Sequence, residues 1–350
     1  MKGVCTMLAL VKTQKGVGFL ELREADPPKI GPDEVLIEVK AAGVCGTDIH
    51  VRHDRFPYWP PVILGHEFSG QIAEVGSEVA GYQVGDRVVA EPHTLACGKC
   101  YLCRTGNIQI CPSKRSPGWG IDGAFTKYIK MPERLLHRIP DHVTFEEAAV
   151  TEPTANVVHD VLERGKVRPE DFVVVLGPGP IGLLSAMAAK AEGARKVMIV
   201  GTPRDEELRL KVARELGMDY VVNLGEEDPQ EKILALTHGI GADLVVEASG
   251  AEPAVNMAVD LIRKKGRITV IGMTGKETIQ FPWDKAIFKV CDIFFNLSTS
   301  YTSWDRAISM IAEGKINVDA IITHREPLTN WEQVFDDMED LKGLKAVLIP

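Results

Sequence analysis

The sequence predicts an α/β protein of two domains, one made of short antiparallel strands and one built on a doubly wound parallel sheet. In the first part of the chain, apolar and polar residues alternate over short stretches such as 35–39, and glycine or proline turns separate them. From Phe172 onward, short apolar strands alternate with helical segments. We predict one domain over residues 157–295, inserted into a domain formed by residues 1–156 and 296–350.

The individual elements follow from local patterns. In the first domain, further strands are predicted over 70–75, 85–90 and 125–130, Thr144 and Glu147 have the spacing of a capping box, and a helix is predicted over 155–164. In the second domain, strands are predicted over 172–176, 196–200, 220–222, 242–248 and 267–271. The helices between them are predicted over 183–192, 205–216, 230–237 and 253–264. Because a helix follows each strand, right-handed crossovers make the strands parallel. A last helix is predicted over 304–313.

Composition excludes several classes of function. A length of 350 residues suits two domains, and the net charge of -9 without a basic face argues against nucleic acid or an anionic membrane as a partner. The chain lacks both an apolar run of about 20 residues for a membrane helix and the apolar core of a signal peptide. We therefore expect a cytoplasmic protein, in which cysteines serve metal binding or catalysis rather than disulfides.

A glycine-rich turn organises the second domain. The apolar strand 172–176 is followed by Gly177, Gly179, Pro180, Ile181 and Gly182, and then by an alanine-rich helical run. Glycines at this spacing let the backbone approach a pyrophosphate, and the N-terminus of the following helix directs its free N–H groups at the anion. Proline is tolerated in the first turn of that helix, where its missing N–H has no partner. Strand, turn and helix together predict a dinucleotide site.

Four cysteines lie within fifteen residues and predict a metal lobe. Cys97, Cys100, Cys103 and Cys111 have the spacing C-x2-C-x2-C-x7-C. Four thiolates can close a tetrahedron around zinc with no open position, which is typical of a structural site. An iron–sulfur cluster shares thiolate ligation and is the alternative.

A second set of metal-ligand types is dispersed along the chain. Cys45 lies in the turn G-V-C-G-T-D, His66 and Glu67 follow Gly65, and Glu152 lies in T-E-P. A mixed Cys/His/Glu set that leaves a position open is what a catalytic zinc requires. Spacing alone does not unite these residues, and each of them also has a structural interpretation.

Taken together and in this order, the motifs resemble those of zinc-dependent medium-chain alcohol dehydrogenases. They are G-V-C-G-T-D at 43–48, G-H-E at 65–67, the cysteine lobe, T-E-P at 151–153 and G-P-G-P-I-G at 177–182. Within that superfamily the chain looks most like the sorbitol/L-iditol (polyol) dehydrogenase branch, because glutamate stands at 152 and T-H-R at 323–325. The resemblance implies a Rossmann coenzyme domain and a GroES-like, zinc-binding catalytic domain.

The resemblance also implies roles for individual residues. Cys45, His66 and a glutamate would hold the catalytic zinc, with both Glu67 and Glu152 able to occupy that shell. Thr47 would accept the substrate proton and pass it towards His50, whose ordinary pKa suits a proton shuttle.

The choice of coenzyme depends on the residue that ends the second strand of the parallel sheet. An acid usually stands there and bonds the adenosine ribose, whereas this chain has Gly201. Without that carboxylate the 2′-phosphate of NADP is not repelled, and Thr202, Arg204 and Arg209 can bond it. NADP is therefore favoured over NAD, unless Asp205 or Glu206 folds back onto the ribose. The expected coenzyme contacts also include Ile271, Met273 and Ser298.

The substrate expected from the resemblance is a polyol or a sugar derivative, oxidised at a secondary hydroxyl to a ketone. Sorbitol-type enzymes carry an Arg–Tyr pair near the segment 296–304, and neither residue lies in register here, which argues against sorbitol itself. L-threonine 3-dehydrogenases are close relatives that share C-G-T-D-x-H and a histidine ahead of the lobe, here His93. A non-catalytic sensor or structural relative is the alternative of another class. Relatives form dimers or tetramers, so we expect a homo-oligomer.

Overall fold

The computed structural model describes residues 6–350, and the chain divides into two compact units. The first unit takes in the chain up to Pro153, together with Ser300–Ala312 and Ile322–Pro350. The second unit consists of Thr154–Thr299 and Glu313–Ile321. No helix of the described residues is long and apolar enough to cross a membrane.

The described residues form strands and helices in the following order along the chain. The strands are β1 (Met7–Lys12), β2 (Leu20–Ala25), β3 (Glu34–Gly43), β4 (Val62–Ile63), β5 (Glu67–Val75), β6 (Arg87–Ala90), β7 (Tyr128–Pro132), β8 (Leu136–Arg138), β9 (Phe172–Leu176), β10 (Lys196–Gly201), β11 (Tyr220–Asn223), β12 (Ala242–Glu247), β13 (Ile262–Val270), β14 (Asp292–Phe295), β15 (Ile322–Pro327) and β16 (Lys345–Ile349). The α-helices are α1 (Gly46–Arg52), α2 (Tyr101–Arg104), α3 (Phe145–Ala148), α4 (Thr151–Val157), α5 (Pro180–Ala191), α6 (Lys211–Glu215), α7 (Pro229–Leu236), α8 (Glu252–Leu261), α9 (Trp283–Lys289), α10 (Tyr301–Ala312) and α11 (Trp331–Glu339).

The first unit is organised around a seven-stranded sheet of order β15-β16-β3-β5-β6-β8, with β7 paired to β3. The long strand β3 alternates half-buried and buried residues, so one face covers a core that includes Val35, Ile37 and Val39. Antiparallel pairing of β3 with β5 sets Gly43 opposite Glu67. The end of β3 and the start of β5 therefore lie side by side. A smaller sheet of order β2-β1-β4 belongs to the same unit.

The second unit contains a six-stranded sheet of order β11-β10-β9-β12-β13-β14, in which every pairing is parallel. All five residues of β9 are buried, as expected for the central strand of a sheet covered on both faces. The order reverses between β9 and β12, which is the arrangement of a doubly wound dinucleotide-binding sheet. The predicted fold class is therefore confirmed.

Most differences from the predicted elements lie at their ends. The capping box is present, because Thr144 Oγ1 accepts the Glu147 N–H at 3.2 Å and the Glu147 carboxylate accepts the Thr144 N–H at 2.8 Å. The helix predicted over 253–264 ends at Leu261 instead, because Ile262 pairs with Ala242 and begins β13. The helix predicted over 205–216 is broken into a 3-10 turn at Pro203–Asp205, a π-helix at Glu206–Leu210 and α6.

Candidate metal centres and dinucleotide site

The first candidate centre joins three dispersed residues of the first unit. One ligand atom from each of Cys45, His66 and Glu67 lies within 4.8 Å of the ligand atoms of the other two. Cys45 precedes α1 at the end of the β3 segment, and Glu67 opens β5. His66 follows Gly65, whose φ of +91° and contact with Phe125 leave no room for a side chain. The pairing of β3 with β5 therefore brings these ligands together.

A buried aspartate links the two segments that carry these residues. Asp48 Oδ2 accepts a hydrogen bond from the Cys45 N–H at 2.9 Å, and its Oδ1 accepts one from the Gly65 N–H at 3.3 Å. The same Oδ1 lies 3.8 Å from His66 Nδ1. Asp48 is 1% exposed, and burial raises the pKa of its carboxyl above the ordinary value. It fixes the turn before α1 to the turn before β5, and sequence analysis did not predict this role.

The electrostatics of the cluster suit a cation. Burial disfavours a charged imidazole, but the neighbouring Cys45, Asp48 and Glu152 outweigh burial and raise the pKa of His66 to about 10. The negative groups thus attract a positive charge to this position, and in the metal-free chain a proton supplies it. A zinc ion would supply that charge in place of the proton, because metal ligation requires a deprotonated imidazole and thiol. Thiolate, imidazole and carboxylate are also the donors that zinc prefers.

A buried lysine competes for the carboxylate of this cluster. Lys345 is 3% exposed, and its ammonium donates to the Val44 carbonyl oxygen at 2.8 Å and to Glu67 Oε2. Burial opposes the charge on Lys345, but Glu67, Cys45 and Glu152 outweigh it, so the pKa of Lys345 lies above its ordinary value. Sequence analysis missed this residue. The available signal is a single charge at the start of the apolar strand β16.

The remaining residues predicted around the catalytic zinc lie near this cluster. Glu152 is 9% exposed in the first turn of α4 and influences the pKa of both His66 and Lys345, although it lies outside the compact group of ligand atoms. The hydroxyl oxygen of Thr47 lies 3.7 Å from Cys45 Sγ. His50 follows three residues later on α1, and its side chain is only partly covered. That partial burial, together with Arg55 and His53, lowers the pKa of His50.

The four clustered cysteines form a second candidate centre. The sulfur atoms of Cys97, Cys100, Cys103 and Cys111 all lie within 4.8 Å of one another. Backbone N–H groups point at these sulfurs, since Cys97 N–H donates to Cys111 Sγ and Cys100 N–H to Cys97 Sγ, both at 3.4 Å. The N–H groups of Lys99 and Cys100 lower the pKa of Cys97 to about 6. A backbone N–H group also lowers the pKa of Cys111, whereas burial raises the pKa of Cys103 to about 12. Four thiols crowded in this way fit a closed zinc site.

The glycine-rich turn of the second unit has the geometry of a dinucleotide site. Gly177 follows β9 with a φ of +99°, and Pro180 takes the first position of α5, as predicted. A side chain at Gly182 would lie 1.8 Å from the Gly177 carbonyl oxygen, so the helix packs against the turn only with glycine at this position. A cavity of about 350 Å³ opens beside the turn and is lined by residues that include Gly177, Gly179, Thr202, Asp205, Arg209 and Ser249.

Asp205 and Glu206, the two acidic residues that follow β10, are both held by neighbouring side chains or backbone groups. Asp205 Oδ2 accepts hydrogen bonds from the Thr202 N–H at 2.8 Å and from its hydroxyl at 2.7 Å. Arg209 lies 3.4 Å from the other oxygen of Asp205. Glu206 is bound by Arg214 at 2.7 Å and by Asn223 at 3.0 Å. Neither carboxylate is therefore free to turn onto a ribose.

The other predicted coenzyme residues follow the last two strands of the parallel sheet. Ile271 and Met273 come directly after β13, and Ser298 follows β14 with a φ of +69°. The carboxyl ends of parallel strands meet at one edge of a sheet, so these positions lie on the same edge as the glycine turn.

Comparison with known proteins decides the family. Residues 31–141 match the model of the alcohol dehydrogenase GroES-like domain, and residues 180–313 match that of zinc-binding dehydrogenases. A sorbitol dehydrogenase from Halalkalibacterium halodurans is 40% identical over 98% of this chain and 99% of its own length. The chain belongs to the zinc-dependent medium-chain alcohol dehydrogenases. It is an oxidoreductase that acts on CH–OH groups and uses zinc with NADP or NAD.

Two further similarities bear on the branch of this dehydrogenase family and on its coenzyme. A D-arabitol-phosphate dehydrogenase from Enterococcus avium is 35% identical over 98% of this chain and 97% of its own length. A zinc-binding dehydrogenase from Sinorhizobium meliloti 1021, solved with bound NADP, superposes with a TM-score of 0.91 at 29% identity and covers 99% of both chains. The predicted polyol dehydrogenase branch is confirmed.

Proposed function

We propose that this dehydrogenase interconverts a secondary hydroxyl and a ketone on a polyol or a sugar derivative. The observation that carries the proposal is the buried cluster of Cys45, His66 and Glu67, with Glu152 close enough to act on its charge balance. The similar sorbitol and D-arabitol-phosphate dehydrogenases act, by their names, on such compounds.

Cys45 and His66 would hold the catalytic zinc, and Glu67 and Glu152 would share its third protein position. When bound, zinc acidifies an alcohol so that it ionises near neutral pH, and the nicotinamide ring of the coenzyme accepts the hydride. Lys345 holds Glu67 by one carboxylate oxygen, so the lysine and zinc would compete for that oxygen if zinc bound there. Cys97, Cys100, Cys103 and Cys111 would hold a structural zinc.

Thr47 would take the proton of the hydroxyl and pass it to His50. The two residues lie three positions apart on α1, so their side chains share one face of the helix. The lowered pKa of His50 keeps its ring neutral near pH 7, and a neutral ring can accept a proton.

We infer that the second unit is the coenzyme domain and that it prefers NADP. Asp205 and Glu206 are occupied by hydrogen bonds to other residues, so no carboxylate is available for the two ribose hydroxyls that NAD presents. The Nε of Arg209 is buried and has no hydrogen-bond partner among the described residues. Arg204, in the 3-10 turn just before, is close enough to lower the pKa of Arg209. Two guanidinium groups at this position would bond a 2′-phosphate.

We propose that the first unit is the catalytic domain and that the chain forms a homo-oligomer. β14 is an edge strand, since it pairs only with β13 in the sheet, and large apolar side chains lie exposed around it. Phe288 is 77% and Phe295 74% exposed, and Trp283 is also exposed. An apolar strand edge of this kind pairs readily with a second copy. The cysteines within residues 6–350 are all free thiols, which fits the predicted cytoplasmic location.

A panel of polyols, polyol phosphates and L-threonine, assayed with NADP and NAD on zinc-loaded protein, tests the proposal. We expect a polyol or its phosphate to be oxidised fastest, with NADP. L-threonine is the second candidate because an L-threonine 3-dehydrogenase from Pyrococcus horikoshii is 37% identical over 98% of this chain. His93, the histidine shared with threonine dehydrogenases, is buried, and burial with Lys114 and Arg134 lowers the pKa of His93 to about 3. Oxidation of L-threonine alone would overturn the polyol proposal, and turnover of no alcohol would favour a non-catalytic relative.

A further inference from the structure

A fully buried glutamate stands at the point where the parallel sheet reverses its strand order. Glu247 is the last residue of β12, is 0% exposed, and pairs in register with Leu176 at the end of β9. In doubly wound sheets, dinucleotides bind outside the carboxyl ends of the strands at this reversal. Glu247 therefore lies directly beneath the crevice that the coenzyme fills, and neither the predicted mechanism nor the predicted site uses it.

Glu247 fixes two loops at once. Its Oε1 accepts hydrogen bonds from the Ser249 N–H at 3.0 Å, the Ser249 hydroxyl at 2.6 Å and the Gly250 N–H at 3.0 Å. Its backbone carbonyl oxygen accepts from the Ile271 N–H at 2.9 Å and the Gly272 N–H at 3.0 Å. The loop after β12 and the turn after β13 are thus both tied to one residue.

The two loops are packed too closely for side chains at the points of contact. A Cβ at Gly250, whose φ is +68°, would lie 2.2 Å from the Met273 carbonyl oxygen. A Cβ at Gly272 would lie 2.5 Å from Glu247 Oε2. On the other side, a Cβ at Gly177 would lie 2.8 Å from the Cβ of Ser249. Contacts therefore run without a gap from the glycine-rich turn through Ser249 and Glu247 to Gly272.

The carboxylate is not part of an ion pair. Within residues 6–350, no lysine, arginine or histidine lies at ion-pair distance from Glu247. A carboxyl group in the interior is costly unless hydrogen bonds satisfy it, and here the donors are Ser249 and Gly250 in the loop that follows. The buried carboxyl group of Glu247 therefore stabilises the conformation of that loop and does not neutralise a nearby positive charge.

We propose that Glu247 is a positioning residue for the coenzyme. Through its carboxylate it holds Ser249 and Gly250 against the glycine-rich turn, and through its carbonyl it holds Ile271 and Gly272. The dinucleotide then meets two preformed walls of the crevice and orders neither of them on binding. The inference rests on the proposed coenzyme site of the second unit, and it assigns a role that involves no contact with the reacting atoms.

Coenzyme titration of the zinc-loaded enzyme tests the role, with the fluorescence of NADPH and NADH as the signal. In Glu247→Gln the amide keeps the size of the side chain but replaces a charged acceptor with a neutral one. We expect the Kd for NADPH to rise about tenfold, since a hydrogen bond to a charged group contributes more than one to a neutral group. At saturating coenzyme, we expect the KM for the alcohol to stay at the wild-type value.

Asp219→Asn is the matched control. Asp219 accepts a hydrogen bond from the Val197 N–H at 3.0 Å and forms an ion pair with Lys196 at 2.9 Å. Both partners lie at the amino end of β10, at the edge of the sheet opposite to the coenzyme site. This variant should lose thermal stability and keep the wild-type Kd for NADPH. A purely structural role for Glu247 predicts the same result for Glu247→Gln, and an unchanged Kd in that variant would overturn the inference.

Ser249→Ala decides the case if Glu247→Gln does not fold. It removes the hydroxyl that donates to Glu247 at 2.6 Å and accepts the Ala251 N–H at 3.1 Å, and we expect a smaller rise in the same Kd. An unchanged Kd in a folded Ser249→Ala protein would then overturn the inference. A wild-type enzyme that binds neither NADPH nor NADH would instead contradict the proposed function.

Discussion

Replacing Lys345 with methionine should destabilise the first unit strongly. The side chain is 3% exposed, its ammonium bonds Glu67 and the Val44 carbonyl oxygen, and Glu67 itself is 1% exposed. Methionine fills a similar volume but leaves a buried carboxylate without its partner. Removing one partner of a buried pair costs about 3–5 kcal/mol. At about 2–4 °C per kcal/mol for a unit of this size, the melting temperature of the metal-free protein should fall by roughly 6–20 °C.

The assay is thermal unfolding of the wild type, Lys345→Met and Lys345→Arg, each measured without metal and with excess zinc. Lys345→Arg keeps the charge and should lose less stability than Lys345→Met. Zinc offers Glu67 another cation, so it should raise the melting temperature of Lys345→Met by more than that of the wild type. Lys342→Met is the matched control, because Lys342 pairs with Asp340 on the surface and should not change the melting temperature measurably.

A loss for Lys345→Met no larger than that for Lys342→Met would refute this reasoning. It would mean that the Glu67 carboxylate finds another donor in the folded metal-free chain, or that it is not ionised there. An equal zinc-induced increase in Lys345→Met and the wild type would show that the lysine does not compete with the metal for Glu67.

Three further predictions concern the two zinc centres and the coenzyme. Cys45→Ser should lose alcohol oxidation while keeping the wild-type Kd for NADPH, and retained turnover would exclude the proposed catalytic zinc. Cys100→Ser should lower the zinc content and the melting temperature, because the lobe loses one of the ligands that close it, whereas an unchanged melt would show that the lobe does not stabilise the fold. Arg209→Gln should reduce the kcat/KM ratio of NADP over NAD by about tenfold, the effect of one charged hydrogen bond to phosphate. Lys211→Gln, which breaks only an exposed pair with Glu215, should leave that ratio nearly unchanged.

The sequence predicted well those features whose residues all lie within a short stretch of the chain. The cysteine lobe and the glycine-rich turn keep all their parts within about fifteen residues, so spacing alone indicates their chemistry. The alternating strands and helices of the second unit likewise predicted the parallel sheet. The end of the helix before β13 was missed because Ile262 suits either element locally, and only its pairing with Ala242 makes it a strand residue.

Patterns within short segments could not predict the candidate cluster of Cys45, His66 and Glu67. Cys45 and Glu67 meet because β3 and β5 pair with Gly43 opposite Glu67, and no pattern within either segment specifies that register. Asp48 received no role from the sequence, because its bond to the Gly65 N–H joins two segments that lie apart along the chain. Glu247 was overlooked for a similar reason. A glutamate at the end of a strand is usually exposed, and only the close approach of two glycine loops encloses this one.

The presence of Lys345 changes how the metal centre is understood. Cys45, Asp48 and Glu152 all favour a positive charge on His66. Lys345, at the start of β16, is a buried cation that Cys45 and Glu152 also stabilise. Although Lys345 lies in the same cluster, Cys45, Asp48 and Glu152 outweigh burial and raise the pKa of His66 to about 10. The same groups would favour a divalent cation in place of that proton. Because the same lysine already binds one oxygen of Glu67, a zinc ion held by Cys45 and His66 would compete with Lys345 for that carboxylate.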